Sequence, residues 1–499
     1  MKLNLEGNIN VYYVQTLCMI FFPGEKFGAS EQDNPDAPTL SLRLTQTDEG
    51  MTADVTVTAK QKTAQATRTL AFSEHYDHDK TAKMVCGAAI VAACGELKGY
   101  RPSWGMLTGV RPSKVATELL QKGLSKTRVK KILTGDYMVI PKKAALATDV
   151  ALNEQRLIGT PDKKDCSVYI AIPFCPSRCS YCSFVSYTSP KLLNLIPDYL
   201  IHLIADLELT FAKIKEMGLR VRTIYIGGGT PTILSADQLR LLLAKVAELT
   251  DVSVLEEYTL ESGRPDTITS EKLAVAAEYG VSRICVNPQS LSDEVLKEIG
   301  RSHTAEDFLR AFEVARESGI PCINTDLIVG LPGDNFKTFS YTFDKILALH
   351  PENITVHTFC VKKAADILKQ GSHVYSLRGG DSGKCVDYTQ IRAQADGYKP
   401  YYMYRQKNTV GNYENVGFAM EGTEGRYNIY MMEEVHSIFA VGAGAVSKMV
   451  DYQPVNGGKA HIERLFYPKY PYEYLKDTST ADKTMAMEAF YRANGMLDG

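Results

Sequence analysis

The feature that most constrains the fold is an alternation of short apolar, strand-like runs with helical patterns through the middle of the chain. The intervening segments carry helix signals, such as the capping-box spacing of Ser235 and Gln238 and a stop at Gly218. Strands that alternate with helices pair in parallel through right-handed crossovers. The pattern therefore predicts an α/β fold, either an open doubly wound sheet or a partial barrel, with ligands at the carboxyl ends of the strands. The six runs cover residues 167–174, 222–227, 258–263, 283–289, 322–330 and 353–360.

The regions on either side of this alternation differ from it. Alternating runs at 40–47 and 52–58 predict an antiparallel pair of strands, and helical patterns follow at 81–97 and 113–133. The C-terminal region is rich in Tyr and Gly. We therefore predict three domains, which agrees with the two to four expected for 499 residues. They are an α+β N-terminal domain at 1–164, the alternating domain at 165–360, and a smaller, substrate-covering domain at 361–499.

Composition and charge exclude several classes of protein. Hydrophobic residues make up 44% of the chain, which excludes whole-chain disorder, and the net charge of −2 argues against a nucleic-acid-binding surface. The longest apolar stretch, residues 11–23, contains Gln15 and is too short to span a bilayer. Glu6 precedes it and no small-residue cleavage site follows, so a signal peptide is not expected. We predict a cytoplasmic protein, in which the eleven cysteines point to metal rather than to disulfides.

The strongest chemical motif is Cys175-Pro-Ser-Arg-Cys179-Ser-Tyr-Cys182, directly after the first strand of the alternation. A closed zinc site and a four-iron cluster held entirely by thiolates both require four ligands. Three thiolates leave one iron open for a ligand, and a zinc site would need a distant fourth ligand such as His202 or Cys166. The spacing therefore favours a [4Fe-4S] cluster with one open iron.

This CxxxCxxC loop resembles the signature of the radical S-adenosylmethionine superfamily, which follows the first strand of a partial β/α barrel. The resemblance implies a [4Fe-4S] cluster whose open iron binds S-adenosyl-L-methionine. One electron then cleaves the cofactor to a 5′-deoxyadenosyl radical, which abstracts hydrogen from an unactivated carbon. The motif Gly227-Gly-Gly-Thr230 ends the second strand, where glycines permit close backbone approach and expose N–H groups, or simply form a tight turn. Beside the cysteine loop, the resemblance implies that Gly228, Gly229 and Thr230 bind the methionine amino group.

Further motifs are similar to the oxygen-independent coproporphyrinogen III oxidase family, and specifically to its HemZ-like branch of coproporphyrinogen dehydrogenases. They include Leu260-Glu-Ser-Gly-Arg-Pro265, Ile299-Gly-Arg-Ser-His303, Asp326-Leu-Ile-Val-Gly-Leu-Pro332 and the N-terminal Thr108-Gly-Val-Arg-Pro-Ser-Lys114. The resemblance implies a partial, six-unit β/α barrel of radical SAM type. It also implies cofactor contacts from seven further residues, for two of which, Glu261 and Arg301, the alternative is a plain buried ion pair. These seven are Tyr169, Tyr181, Glu261, Gln289, Arg301, Asp326 and Cys360.

One position departs from the family pattern. Its oxidases carry a fourth cysteine two positions after the third, where this chain has Phe184. The implied function is oxidative decarboxylation of two propionates of coproporphyrinogen III to vinyl groups, by a radical SAM oxidoreductase of haem biosynthesis. One alternative is a haem-binding chaperone of the same family without decarboxylase activity, which the missing cysteine favours. The other is a radical SAM enzyme that modifies RNA, which the basic span at 111–145 favours and the near-neutral total charge disfavours.

The expected partners are a tetrapyrrole and an electron donor of flavodoxin or ferredoxin type, without a membrane span and without nucleic acid. A tetrapyrrole needs aromatic walls and basic groups for its carboxylates. One C-terminal segment offers these residue types, although a core strand with a solvated basic end is an equally good interpretation. The candidates are Tyr401, Tyr402, Tyr404, Arg405 and Lys407.

Overall fold

The computed structural model describes residues 1–28, 31, 34–73, 76–360, 380–406, 409–452 and 460–497. The chain divides into two compact units. The N-terminal unit comprises Met1–Leu152 with Met403–Lys407, and the barrel unit comprises Asn153–Tyr402 with Asn408–Gly499.

The N-terminal unit contains a four-stranded sheet in the order β1-β2-β3-β4 and several helices, the last of which continues into the barrel unit. β2 and β3 pair antiparallel, which confirms the predicted pair, and β4 extends the sheet across a two-residue turn at Lys60 and Gln61. The helix predicted at 113–133 is two helices, because Gly123 ends the first with a φ of 82° and Ser125 caps the second. The elements are β1 (Lys2–Glu6), α1 (Val11–Phe21), β2 (Thr39–Gln46), β3 (Gly50–Ala59), β4 (Lys62–Ala71), α2 (His78–Lys98), α3 (Ser113–Gln121), α4 (Lys126–Gly135) and α5 (Pro141–Ile158).

The barrel unit begins with the predicted alternation of strands and helices. The predicted capping box of Ser235 with Gln238 is present, and Thr304 forms a second capping box with Asp307. The elements are β5 (Asp165–Ile172), α6 (Pro190–Leu193), α7 (Ile196–Glu216), β6 (Arg220–Gly228), α8 (Ala236–Leu249), β7 (Glu257–Leu260), α9 (Ser270–Glu278), β8 (Arg283–Cys285), α10 (Asp293–Glu298), α11 (Ala305–Glu317), β9 (Cys322–Val329), α12 (Phe336–Ala348) and β10 (Asn353–Thr358).

The order of these six strands distinguishes the two predicted architectures. Strands β5 to β10 lie side by side in chain order, and each neighbouring pair is parallel. A doubly wound sheet would reverse its strand order at a switch point, and β5 to β10 contain no reversal. The six strand-helix units therefore form a partial β/α barrel of radical SAM type, as predicted.

The C-terminal residues add strands to both edges of this sheet. β13 pairs with β5 in parallel, and β12 pairs with β10 antiparallel, so the backbone groups at both edges of the six-stranded core are satisfied. Strands of the region predicted as a separate C-terminal domain thus belong to the barrel sheet, and the three-domain division remains a prediction. The elements are α13 (Ser382–Ala395), β11 (Lys399–Arg405), β12 (Glu414–Ala419), α14 (Arg426–Glu433), β13 (Ser437–Val441), β14 (Val446–Asp451), β15 (His461–Phe466), α15 (Pro471–Tyr474) and α16 (Thr480–Ala493).

α14 packs at the amino ends of the barrel strands. Its first backbone N–H groups, those of Arg426 and Tyr427, donate to the carboxylate of Glu257 at 2.5 and 3.4 Å. Glu257 begins β7, so the helix lies at the end of the barrel opposite to the loops that carry the predicted site. No helix within the described ranges is long and apolar enough to span a bilayer.

Candidate active site

The three predicted cluster cysteines lie in one loop that follows β5. Cys175 and Cys179 are buried, and Cys182 is partly exposed. The Cys175 N–H donates to the carbonyl of Tyr187 at 3.0 Å, and the Cys182 N–H donates to the carbonyl of Cys179 at 3.1 Å. These bonds fold the loop back on itself, with its thiols at the carboxyl end of the first barrel strand.

The electrostatic surroundings of Cys175 and Cys182 favour the protonated forms of these two thiols. Burial raises the pKa of Cys175 to about 11, and the neighbouring thiols add to the rise. The Thr230 hydroxyl, 3.3 Å from the Cys175 Sγ, and the Arg264 guanidinium act in the opposite direction on this pKa. Burial also raises the pKa of Cys182, against a hydrogen bond from the Phe184 N–H. A metal centre that binds these groups as thiolates must therefore supply the compensating positive charge.

The zinc alternative lacks its fourth ligand in the structure. Cys166 lies six residues before the end of β5, which places it about 20 Å from the cysteine loop at a rise of about 3.3 Å per residue. His202 instead packs its ring against Tyr474, with 4.8 Å between ring centroids. In the part of the chain that the structure describes, no three His, Cys, Asp or Glu side chains surround one point as they would a single ion. A four-iron cluster does not require that convergence, because each thiolate binds a different iron.

The glycine-rich loop packs directly against the cysteine loop. The Gly229 N–H donates to the last carbonyl of β5 at 2.8 Å, and the Thr230 N–H donates to the carbonyl of Phe174 at 2.7 Å. A Cβ atom on Gly229 would lie 2.4 Å from the Phe174 carbonyl oxygen, so no side chain fits there. The Gly228 N–H donates to the carboxylate of Glu261. The prediction that these N–H groups are exposed is therefore wrong, because all three already have protein acceptors.

Glu261 follows β7 and faces the glycine-rich loop. Burial and the Asp326 carboxylate raise the pKa of Glu261 to about 8, against hydrogen bonds from the Gly228 N–H and the Tyr225 hydroxyl. A buried carboxyl group that stays protonated near neutral pH favours the binding of a cation. The cation compensates the negative charge of the ionised carboxylate, which burial disfavours. The ammonium group of a methionine moiety is such a cation.

Asp326, in β9, has the opposite pKa shift. Burial opposes its ionisation, but hydrogen bonding and charge from His357, with further bonds from neighbouring polar side chains, lower its pKa. The amide nitrogens of Asn287 and Asn324 donate to its two oxygens at 2.9 and 2.7 Å, and the His357 Nε2 lies 3.7 Å away. Asp326 is thus a charged carboxylate with a fixed orientation inside the barrel.

Gln289 and Arg301 complete the predicted set of polar contacts. The backbone of Gln289 has a φ of 68°, and its N–H donates to the Asp326 carbonyl at 3.1 Å. Arg301 is buried, and its Nη1 donates to the Gly263 carbonyl at 3.4 Å. Between described residues, Arg301 and Glu261 form no salt bridge, so the alternative of a plain ion pair is wrong.

Several polar atoms at this end of the barrel are buried and have no hydrogen-bond partner among the described residues. They are Gln289 Oε1, Arg301 Nε, and both ring nitrogens of His303. Buried polar groups in folded proteins are nearly always paired, and unpaired ones mark a missing ligand or water. Together with the two carboxylates, these atoms fit a ligand that carries an ammonium, a carboxylate and hydroxyl groups, which S-adenosylmethionine does.

The two predicted tyrosines lie in different surroundings. Tyr169, in β5, belongs to a stack with Tyr225 and Tyr427, whose ring centroids are 6.1 and 6.4 Å away. Burial, with a smaller contribution from the Glu261 charge, raises the pKa of Tyr169. Tyr181 lies within the cysteine loop, next to Arg301. It packs against an apolar cluster formed by Val295, Leu296, Ile299, Ile328, Leu331 and Phe359. Cys360 follows β10 and forms a β-bridge with Thr409.

Sequence reasoning missed two residues of this site, because Arg264 contacts the cysteine loop and His303 lies buried beside Arg301. It also missed Tyr225 and Tyr427, which complete the tyrosine stack deeper in the barrel. Burial and the Arg301 charge lower the pKa of His303 to about 4, so its ring is neutral. Arg264 and His303 belong to sequence motifs quoted above, but only their contacts in the structure indicate a role in the site.

The aromatic segment at β11 is largely internal. Tyr401 and Tyr402 are buried, and the Tyr401 hydroxyl donates to the Asn353 side chain at 3.3 Å. Arg405 is also buried, and its Nη2 donates to the Leu107 carbonyl at 2.7 Å within the N-terminal unit. These contacts favour the interpretation of a core strand over that of a substrate wall. Lys407 lies outside the described residues.

Comparison with known proteins finds similar sequences and structures. The sequence profile of the Radical SAM superfamily matches residues 169–346. The oxygen-independent coproporphyrinogen-III oxidase-like protein HemZ of Bacillus subtilis is 36% identical over 479 residues, covering 94% of this chain and 92% of that protein. The haem chaperone HemW of the same organism is 32% identical over 321 residues, covering 64% of this chain and 80% of that protein. Among solved structures, the radical SAM enzyme coproporphyrinogen III oxidase (HemN) of Escherichia coli matches with 19% identity and a TM-score of 0.48, covering 66% of this chain and 72% of that one.

The fold and the cysteine loop are thus those of a radical SAM protein, with a [4Fe-4S] cluster and S-adenosylmethionine as cofactors. Within that superfamily, the chain belongs to the family of HemZ-like, oxygen-independent coproporphyrinogen-III oxidase-like proteins.

Proposed function

We propose that this protein is a radical SAM oxidoreductase that decarboxylates two propionates of coproporphyrinogen III to vinyl groups, giving protoporphyrinogen IX. The observation that carries the proposal is the set of unpartnered buried polar atoms around Glu261 and Asp326, beside the cysteine loop. A protein that only carried a tetrapyrrole would not need an oriented, unsatisfied cofactor site. The similarity to HemZ along nearly the whole chain supports the same reaction class.

In this proposal, Cys175, Cys179 and Cys182 hold the cluster. The glycine-rich loop and Glu261 accept the methionine ammonium, because backbone carbonyls and a carboxylate are acceptors. Arg301 binds the methionine carboxylate through the nitrogen that has no other partner. When bound, the cofactors supply a radical that abstracts a hydrogen atom.

The remaining contacts position the cofactor. Asp326, fixed by Asn287 and Asn324, accepts from a ribose hydroxyl, and Gln289 offers its unpaired oxygen to a second donor. Tyr181 and Cys360 lie at the rim of the same end of the barrel, and Tyr169 lies deeper, in the tyrosine stack. Each propionate loses one β-hydrogen atom, one carbon dioxide and one electron, and an acceptor takes that electron.

The partners follow from this chemistry. The substrate is a tetrapyrrole, and a one-electron donor of flavodoxin or ferredoxin type reduces the cluster. The reaction belongs in a reducing compartment, consistent with the predicted cytoplasmic location.

A second candidate is a haem chaperone, favoured by one specific observation. Phe184 occupies the position of the oxidases' fourth cysteine, and its side chain is 68% exposed beside the cysteine loop. HemW, at 32% identity, is named a haem chaperone. Iron ligation does not separate the two candidates, because three thiolates suffice for an open cluster.

Product analysis separates the two candidates. Reconstituted protein is incubated anaerobically with S-adenosylmethionine, a reductant and coproporphyrinogen III, with a Cys179→Ala variant treated in parallel. We expect vinyl products by mass spectrometry and deoxyadenosine formation that rises when the tetrapyrrole is added. Stoichiometric haem binding without any vinyl product would replace this proposal with the chaperone.

A further inference from the structure

Arg264 is a buried cation that neither the sequence motifs nor the cofactor assignments explain. It follows β7 in the loop after Glu261, and it is only 4% exposed. Its Nε and Nη2 donate to the two carboxylate oxygens of Asp266 at 2.9 and 2.8 Å. This bidentate pair fixes the plane and the direction of the guanidinium.

The remaining edge of the guanidinium points at the cysteine loop. Its Nη1 lies 3.7 Å from the Sγ of Cys179, within hydrogen-bond distance for sulfur, and 3.5 Å from the carbonyl of Ser177. Its Nη2 also lies 3.5 Å from the Ser302 hydroxyl. Arg264 therefore contacts the sulfur of one predicted cluster ligand and the backbone of the loop that carries it.

Several further ionisable groups lie around the contact between Arg264 and Cys179. Arg301 is the second buried cation nearby, and its charge acts on Arg264 and Cys179. Asp266 is the counter-ion, and His303, which faces both arginines and Asp266, is neutral above the pKa of about 4 given above. Among these groups, Arg264 is the one with a hydrogen bond to a cluster sulfur.

A hydrogen bond and a positive charge at a ligating sulfur stabilise the state of a cluster that carries one more electron. The effect is large in a buried loop, because water screens the charge poorly there. The carboxylate of Asp266, behind the Arg264 guanidinium, lowers the reduction potential, but it acts from a greater distance.

We propose that Arg264, oriented by Asp266, is a positioning residue that raises the reduction potential of the cluster through its contact with Cys179. The inference rests on the proposed assignment of Cys179 as a cluster ligand. In this role, Arg264 helps to determine how strong a reductant the electron donor must be. The role is distinct from binding S-adenosylmethionine or the tetrapyrrole. Removing its charge makes the cluster harder to reduce, and removing the charge of Asp266 makes it easier to reduce.

The test is a redox titration of the full-length, reconstituted protein with dithionite, followed by electron paramagnetic resonance of the reduced cluster, without S-adenosylmethionine and substrate. For Arg264→Gln we expect the one-electron reduction equilibrium constant to fall about tenfold, which is about 59 mV. Arg264→Lys keeps the charge but loses the bidentate pair, so its potential should lie between those of Arg264→Gln and the wild type. Asp266→Asn should shift the potential upward. Arg240→Gln, which removes an exposed arginine paired with Glu278 at 2.6 Å, should leave it unchanged.

The directions of the potential shifts in Arg264→Gln and Asp266→Asn test the proposal. A residue that only supported the loop would lower the iron content of its variants without shifting the potential in opposite directions. An Arg264→Gln potential equal to that of the wild type would overturn the proposal, as would an Asp266→Asn shift that is absent or downward. If Arg264→Gln does not load with iron, the Arg264→Lys and Asp266→Asn titrations decide by the same criteria. A Cys179→Ala variant that retains the full cluster would instead contradict the ligand assignment.

Discussion

The two ends of the barrel differ in how their buried polar groups are satisfied. At the amino end, the Glu257 carboxylate accepts from two backbone N–H groups of α14 and from the Thr259 hydroxyl at 2.8 Å, and Arg283 donates to the Thr423 carbonyl at 3.0 Å. At the carboxyl end, Gln289 and Arg301 keep buried atoms without a partner among the described residues. The amino end therefore contributes to stability, and the carboxyl end retains its hydrogen-bonding capacity for a ligand.

The largest effect should come from the cysteine loop at the carboxyl end. Replacing Cys179 by Ala removes one of three thiolates, and the remaining two do not hold a four-iron cluster. We expect anaerobically reconstituted Cys179→Ala to lose the iron, the sulfide and the visible absorbance of the cluster. Cys166→Ala, in the same strand-loop segment but about 20 Å away, serves as the control and should load normally. Full iron and sulfide content in a triple variant of Cys175, Cys179 and Cys182 would contradict this assignment.

A smaller effect should follow from Arg301→Ala. Losing a charge-assisted bond to the methionine carboxylate should cost roughly 1.5–3 kcal/mol of S-adenosylmethionine binding, which is about tenfold to a hundredfold in Kd. Calorimetric titration of the cluster-loaded protein measures it. Arg310→Ala, which removes an exposed ion pair with Glu306 at 2.6 Å, should not change the affinity. An unchanged Kd in Arg301→Ala would show that this arginine binds no part of the cofactor.

At the amino end, Glu257→Ala should change stability and not binding. The variant leaves the first N–H groups of α14 without their acceptor, so the free energy of unfolding should fall by about 1–3 kcal/mol. Urea unfolding followed by circular dichroism measures the loss. Glu278→Ala at the protein surface should cost far less. The contrast between the two ends would fail if Glu257→Ala weakened S-adenosylmethionine binding as much as Arg301→Ala does.

The last effect concerns Glu261 and appears only when the pH is changed. Its pKa is raised to about 8 in the folded protein, so the native state binds more protons than the unfolded state between about pH 4.5 and pH 8. Its contribution to stability is therefore present at low pH and is lost as the pH rises towards 8. The glutamine side chain of Glu261→Gln cannot titrate. In urea unfolding at several pH values, the free energy of unfolding of this variant relative to that of the wild type should therefore rise with pH over this range. A constant difference between the two proteins would contradict the raised pKa.

The local parts of the fold were predictable from the sequence, and the parts that depend on distant pairing were not. The capping boxes at Ser235 and Thr304 are formed by residues three positions apart, so the sequence displays them directly. The turn before β4 was missed because Lys60 and Gln61 both adopt positive φ, which their residue types seldom do. The strand order of the barrel and the pairing of β13 with β5 are long-range features that no local pattern encodes.

The site shows the same division. The cysteine spacing predicted one loop with three thiols, and the structure places them so. The significance of Arg264 lies in a contact with Cys179, 85 positions earlier in the chain, so its residue type gave no indication of it. The glycine-rich loop was assigned exposed N–H groups because its acceptors, two carbonyls at the end of β5 and beyond and the Glu261 carboxylate, lie on other strand-loop units.

The parallel pairing of β13 with β5 has a consequence for the synthesis of the chain. β5, the strand that leads into the cysteine loop, pairs along one edge with residues Ser437–Val441. These residues are synthesised about 265 positions later. At translation rates of about 5–20 residues per second, that edge stays unpaired for tens of seconds after β5 has left the ribosome. An open parallel edge invites pairing with other chains, so the nascent protein is most exposed to aggregation before Ser437–Val441 have emerged.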